Sequence, residues 1–312
     1  MKTLNVLGSI LLAACVAIGL PLLATAQKNG PTRVTDAPDQ IRLTRVTPQY
    51  WRVTLHNPPF NIYGPGTMPQ LQKVIAAIET DPQVKVVVFA SDVPGFFMTH
   101  YDFVPPLEET TSLPPGKTGL PQLPDMLVRL SKAPVVSIAA IRGRATGVGS
   151  ELSLACDMRF ASREKAMLSQ FEIGAGFVPG GGPSTRLPRM MGRGRALEVL
   201  MTGTYLDADL AERYGYVNRA IPDAQFDAFV DTTARRISGF PKQTIADIKR
   251  LVDASSLPPD ERFGVEWQTF LDSVKRPAAQ QRIGQLMKDG LQTDVELEQH
   301  LDAHTGRLPA SD

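Results

Sequence analysis

Hydrophobic and polar positions change their period along this chain, and each period predicts an element. From Ile41 to Leu55 they alternate, with β-branched and aromatic residues among them, which predicts two short strands interrupted near Pro48. Asn57-Pro58-Pro59-Phe60-Asn61 breaks the alternation, because proline removes donors and restricts its predecessor, so a loop follows. Between Met68 and Glu79, Leu71, Val74, Ile75 and Ile78 take the spacing of one helical face. Val84 to Ala90 is a continuous apolar run between Pro82 and Ser91, the pattern of a strand buried on both sides. A helix feeding such a strand indicates an α/β layer.

The aromatic stretch Pro94 to Phe103 carries no clear period and is expected to be irregular, and the proline-rich stretch 105–124 is expected to be a loop or lid. Asp125 to Lys132 reads as a short helical turn and Val135 to Ile141 as a second buried strand. The run Ala139 to Leu152 then sets Gly143, Gly147 and Gly149 after a strand-like segment, with Glu151 where an apolar helix begins. Glycine permits positive φ and close backbone approach, and helix N-terminal amides stabilise negative charge, so a reacting carbonyl fits there as well as a plain strand-to-helix turn does. A short helix to about Ala155, a strand at Met158 to Ala161 and a short strand or turn at Met167 to Glu172 follow. Gly174 to Gly182 has no Lys-Ser or Lys-Thr after it and reads as a close backbone crossing, not a phosphate loop. Helical patterns follow at Pro183 to Met191, Gly194 to Met201 and Asp207 to Tyr214. From Asp223 onward the pattern is helical throughout, at Phe226 to Ile237, Lys242 to Ala254, Asp260 to Val274 and Pro277 to Lys288, and the tail after Gly290 is polar.

The first residues are of another kind. Lys2 precedes an apolar run from Leu4 to Leu23, and Ala24-Thr25-Ala26 places small residues where a signal peptidase reads. Residues 1–26 are therefore expected to be a signal peptide cleaved before Gln27, leaving an exported protein with no stable membrane span. A lipoprotein site at Cys15 and an uncleaved anchor are the weaker alternatives. Residues 27–40 read as a flexible lead-in, 41–222 as an α/β core and 223–312 as a C-terminal helical region.

Composition narrows the function classes. The formal net charge is +1, and loss of Lys2 with the leader leaves 32 basic against 32 acidic residues, so no field gathers nucleic acid or anionic lipid. The two cysteines are Cys15 and Cys156, so a mature chain has no internal disulfide, and Cys156 reads as a small buried residue.

Several segments, taken in order, resemble the crotonase, or enoyl-CoA hydratase/isomerase, superfamily over roughly residues 41–255. They are Asn57-Pro58-Pro59-Phe60-Asn61, Tyr101-Asp102-Phe103, Ala133-Pro134-Val135-Val136 through Gly143 and Gly147 to Glu151-Leu152, and Ala155-Cys156-Asp157. Gln170-Phe171-Glu172, Gly176 to Gly180, Arg186-Leu187, Thr202-Gly203 and Ala208 to Asn218 continue the series. The resemblance implies an α/β fold with a crotonase-like ββα spiral core and a C-terminal helical oligomerisation region, in a homotrimer or hexamer.

It also implies a chemistry. Family members bind an acyl-CoA and hold its thioester oxygen with two backbone amides, which here match Tyr101 and Val148. Glu151 and Glu172 match the two carboxylates that add or remove water, and His100, Gly147, Gly149 and Phe171 fall around the substrate. No cofactor beyond the substrate's own CoA is implied. His100 and Val148 stand where the family has glycine, and Phe171 where it has proline. A β-branched residue resists positive φ and narrows the space beside the oxygen, which puts the substrate's shape in question. The resemblance leaves open isomerisation or C–C hydrolysis of another carbonyl substrate, and a non-catalytic exported oligomeric binding protein.

Other candidates are weaker. His300 and His304 have the spacing of a metal pair but no third ligand, so no metal site is expected. Ser150 lacks a recognisable histidine and acid to complete a triad, and Asp102 and Asp157 read as structural.

Overall fold

The computed structural model describes residues 39–309. The expected leader, Cys15 and nearly all of the lead-in lie outside the described residues.

Ile41–Arg45 (β1) and Tyr50–Leu55 (β2) form an antiparallel hairpin, and Pro48 falls in its turn. Thr67–Thr80 (α1) carries Leu71, Val74, Ile75 and Ile78 into the core, as their spacing requires. Val86–Ser91 (β3) then pairs in parallel with β2. Its neighbours alternate between two cores: Val86, Val88 and Ala90 face one, Val87 and Phe89 the other. That alternation is why the run has no polar positions.

Three strand pairs build the spiral. Gly95–Met98 (β4), Glu108–Thr111 (α2) and Gln122–Lys132 (α3) follow β3. Val136–Ile141 (β5), Gly143–Thr146 (β6) and Val148–Ala155 (α4) form the next turn. Met158–Ser162 (β7) and Met167–Ser169 (β8) lead into a 3₁₀ turn at Phe171–Ala175 and then into Pro183–Met191 (α5) and Arg193–Thr202 (α6). Leu206–Asp207 (β9), Ala208–Tyr214 (α7) and Arg219–Ile221 (β10) finish the sheets. In each pair the first strand joins a six-stranded sheet ordered β1-β2-β3-β5-β7-β10, and the second joins a four-stranded sheet ordered β4-β6-β8-β9. This is the expected spiral of ββα turns.

Three expectations need correction. The stretch 94–103 is not irregular, because it contains β4, whose Phe96, Phe97 and Met98 are all buried and so show no alternation. The proline-rich stretch holds the short α2, and α3 begins three residues earlier than predicted; Pro124 sits in the first turn of α3, where its missing N–H has no helical partner to lose. The glycine run is not a single strand-to-helix bend, since β6 lies inside it. A Cβ on Gly143 would meet the backbone of Gly95 and Phe96 at about the 2.5–2.6 Å separation of clashing atoms, so glycine is what lets the second sheet form there.

The C-terminal helices are Asp223–Ser238 (α8), Lys242–Ser256 (α9), Asp260–Val274 (α10) and Pro277–Asp289 (α11). Helix α8 covers one face of the six-stranded sheet with Phe226, Val230 and Ala234. The tail after Gly290 is less polar in effect than it reads. It forms Val295–Gln299 (α12) and Leu301–Thr305 (α13), and Leu297 and Leu301 on these helices, with Leu291 before them, are buried in the main core.

Candidate active site

The site forms where β4 and β6 end side by side. The Gly149 amide donates to the Thr99 carbonyl at 2.9 Å, and a Cβ on Gly149 would collide with the carbonyl of Met98. Gly147 has φ 51°, caps α4, and brings its backbone within about 3.1 Å (measured from an added Cβ) of His100 and of the Phe171 ring. The positive φ that the turn needs therefore belongs to Gly147. Val148 is the first residue of α4 with ordinary φ, so its β-branch is not strained.

This crossing leaves two amides open. Neither the Tyr101 nor the Val148 N–H donates to a protein group among the described residues, although the next amide along the chain is paired in each case, Asp102 to the Tyr63 carbonyl and Gly149 to that of Thr99. A buried amide without a partner is rare and costly, which marks both as positions for an acceptor from outside the chain. Gly149→Ala is expected to lower stability by about 3 kcal/mol or more, because the new methyl meets backbone that cannot rotate away. The shift in urea midpoint checks this.

Two carboxylates meet the same cavity. Glu151 sits in the first turn of α4, 2% exposed, with its Oε1 accepting from the Gly181 amide at 2.7 Å. A Cβ on Gly181 would collide with this carboxylate, so only glycine can bring the amide so close. Burial pushes the Glu151 carboxyl up to about 8, against the pull of the Gly181 and Gly180 amides. Glu172 lies in the 3₁₀ turn, 5% exposed, and its Oε2 has no partner among the described residues. Burial first, and then the charge of Glu151, raise its carboxyl well above the usual range. His100, Tyr101, Val148, Glu151, Phe171 and Glu172 all line one cavity of about 400 Å³. Gly147 and Gly149 are not on its wall; they hold the backbone behind it.

These buried acids tie stability to pH. A carboxyl raised in the fold keeps its proton where the unfolded chain has released it, so the stabilisation is full below the ordinary range near 4.5 and is lost as pH rises toward about 8. Glu151→Gln is expected to gain stability relative to wild type progressively between about pH 5 and about 8. Urea midpoints across that range test it, and a constant difference counts against it.

His100 is wholly buried, with Nδ1 2.7 Å from the Tyr101 carbonyl oxygen and Nε2 3.0 Å from Oε1 of Glu298. Both ring nitrogens face acceptors, an arrangement that a doubly protonated ring satisfies at both ends. Burial alone lowers its pKa, but the charge and hydrogen bond of Glu298 outweigh burial and raise it.

Gly181, Glu266 and Glu298 were not predicted from the sequence. Glu266 on α10 accepts from the Ser184 amide at 2.9 Å, and its charge adds to the rise at Glu151. A signal for it exists, since Glu266 stands on the apolar stripe of Phe263, Trp267 and Phe270. The remaining candidates are structural. Ser150 bonds to the Tyr216 hydroxyl, Asp157 accepts from Ser137 and Lys249, and His304 pairs with Asp289. Asp102 accepts from the Gln292 amide group at 2.7 Å. Burial pushes the Cys156 thiol up to about 12, which makes it inert.

The sequence profile of the enoyl-CoA hydratase/isomerase family matches residues 50–280, and the chain belongs to that family. A crystal structure assigned provisionally as an enoyl-CoA hydratase, from Streptomyces avermitilis, is 40% identical with a TM-score of 0.83, covering 89% of this chain and all of that one. Bovine enoyl-CoA hydratase domain-containing protein 2, a mitochondrial protein, is 35% identical over 163 residues, 52% of this chain and 53% of the relative. A crotonyl-CoA hydratase of Syntrophomonas wolfei is 32% identical over 57% of this chain and 67% of that protein. The chain thus spans about half the length of the bovine relative it matches. Among the described residues no helix is long and apolar enough to cross a membrane.

Proposed function

We propose that the chain is an enoyl-CoA hydratase/isomerase-like enzyme that adds water to, or removes it from, an acyl thioester. The observation that carries this reading is the convergence of two open backbone amides and two buried carboxylates on one cavity. The thioester oxygen of a 2-enoyl substrate accepts from the Tyr101 and Val148 amides, which stabilise the enolate as it forms. Glu151, whose carboxylate form is supported by the Gly181 amide, takes a proton from water as the oxygen bonds to C3. Glu172, buried, with no donor on Oε2 among the described residues and the charge of Glu151 nearby, has its carboxyl raised and gives its proton to C2. The C2=C3 double bond is consumed, a 3-hydroxyacyl thioester results, and a proton passing from Glu151 back to Glu172 resets the site. No group beyond the substrate's own CoA is needed. The aromatic wall of Phe103, Phe171 and Phe177 suits an apolar acyl chain.

An open cavity favours the enzyme over a non-catalytic binding protein, in which Val148 or His100 would plug the site. Hydration of crotonyl-CoA by the full chain is the test. Isomerisation is the second reading, and it needs one carboxylate where hydration uses both.

Two further features belong to the same proposal. Exposed Ile248, Leu251 and Val252 on α9 support a homotrimer or hexamer, which light scattering on the purified protein checks. The leader-like sequence supports export, periplasmic or extracellular, and a mature N-terminus at Gln27 in the exported fraction is the expected result.

A further inference from the structure

The tail after Gly290 has no part in the chemistry above, yet it holds the segment that carries the Tyr101 amide. Gln292 is the centre of these contacts. Its side-chain oxygen accepts from the Phe103 amide at 2.7 Å, and its side-chain nitrogen donates to Asp102 Oδ1 at 2.7 Å. Its own backbone amide donates to Glu298 Oε1 at 2.8 Å, and Glu298 accepts from His100 at 3.0 and 3.2 Å. The residues on both sides of Tyr101 are therefore fixed from one short piece of chain nearly two hundred residues away.

Stability alone does not account for this arrangement. Taking the His100 ring and the Glu298 carboxylate out of water carries a desolvation cost that their attraction only offsets. Gln292 has φ 69°, a conformation that L residues avoid. Helices α12 and α13 have five residues each, too short to persist alone, and Leu291, Leu297 and Leu301 pin them to the core. The tail also reaches the second half of the site. Arg282 donates to the carbonyls of Gly174, in the 3₁₀ turn of Glu172, and of Thr305, at 2.7 and 2.9 Å. An oxyanion donor acts only when it is in place before charge develops, and a displacement of about 1 Å costs about a hundredfold in rate.

We infer that Gln292 and Glu298 are positioning residues, forming an intramolecular clamp that sets the Tyr101 amide for the thioester oxygen. The inference rests on the hydratase reading. Its test is steady-state hydration of crotonyl-CoA by the full chain carrying Gln292→Ala, Glu298→Gln or Glu298→Asp, with His304→Ala as a tail substitution that does not touch residues 100–103. Gln292→Ala and Glu298→Gln are expected to lower kcat roughly 10- to 100-fold with KM changed less than about threefold. Glu298→Asp, which keeps the charge, is expected to fall between Glu298→Gln and wild type, and His304→Ala to match wild type. Should Glu298→Gln fail to fold, Gln292→Ala decides alone. Unchanged kcat in Gln292→Ala beside an active wild type overturns the clamp, as does an equal loss in His304→Ala. A silent wild type overturns the hydratase reading itself, and the clamp with it.

Discussion

Glu151→Gln is expected to lower kcat for crotonyl-CoA hydration by about a thousandfold, with KM changed by less than about threefold. Glutamine has nearly the same shape, and its side-chain oxygen can still accept from the Gly181 amide that now binds Oε1 of Glu151. The cavity therefore survives while the group proposed to take a proton from water is lost. A proton-transfer residue contributes about 10² to 10⁴ in rate, and loss of the base falls on kcat because bound substrate and transition state differ most at that proton. The same variant should be no less stable than wild type, since it removes a buried acid whose ionisation the fold opposes. Activity and stability moving in opposite directions is what a functional carboxylate gives. A helix-start glutamate with no further role would lose stability and spare kcat.

Glu172→Gln is the second large effect, with kcat expected to fall by about 10² to 10³ for hydration. Its Oε2 has no partner among the described residues, so no hydrogen bond is given up at that oxygen. In the proposed hydration the two glutamates act on one water, so their losses should not add. The double variant is expected to fall little below the weaker single variant, because once either proton transfer fails the other gains nothing. This also separates the two readings of the site. Hydration needs both carboxylates, whereas moving a double bond needs one, so retention of isomerase turnover in Glu172→Gln would assign isomerisation. Initial rates on a 2-enoyl and a 3-enoyl thioester give both answers from the same preparations.

Much of this architecture can be read from residue patterns. The apolar run of β3 and the helical spacing in α1 and in α8 to α11 predicted those elements to within a few residues. Strand β4 was hidden because Phe96, Phe97 and Met98 are buried on both faces, leaving no alternation to detect. Strand β6 was hidden for the opposite reason: Gly143 and Gly147 signal a turn, and only the crossing over Gly95 and Phe96 shows why a strand needs glycine there.

The site divides the same way. Tyr101, Val148, Glu151 and Glu172 stand in segments whose order matches the family, so they could be named before any geometry was known. Their supports could not. Gly181 meets Glu151 across 30 residues, and Glu298 meets His100 across 198. Neither pairing leaves a local pattern, because each is made by chain crossing. Val148 shows the limit of reading conformation from residue type. Its β-branch argued against the turn, but the turn is made one residue earlier, at Gly147.

The measurement that bears most directly on the site is the loss of enoyl absorbance when the full chain is mixed with crotonyl-CoA, run beside the Glu151→Gln/Glu172→Gln double variant. The account predicts a saturable decay in wild type, faster than the double variant by about a thousandfold or more. Equal, background-level rates in the two proteins would contradict it.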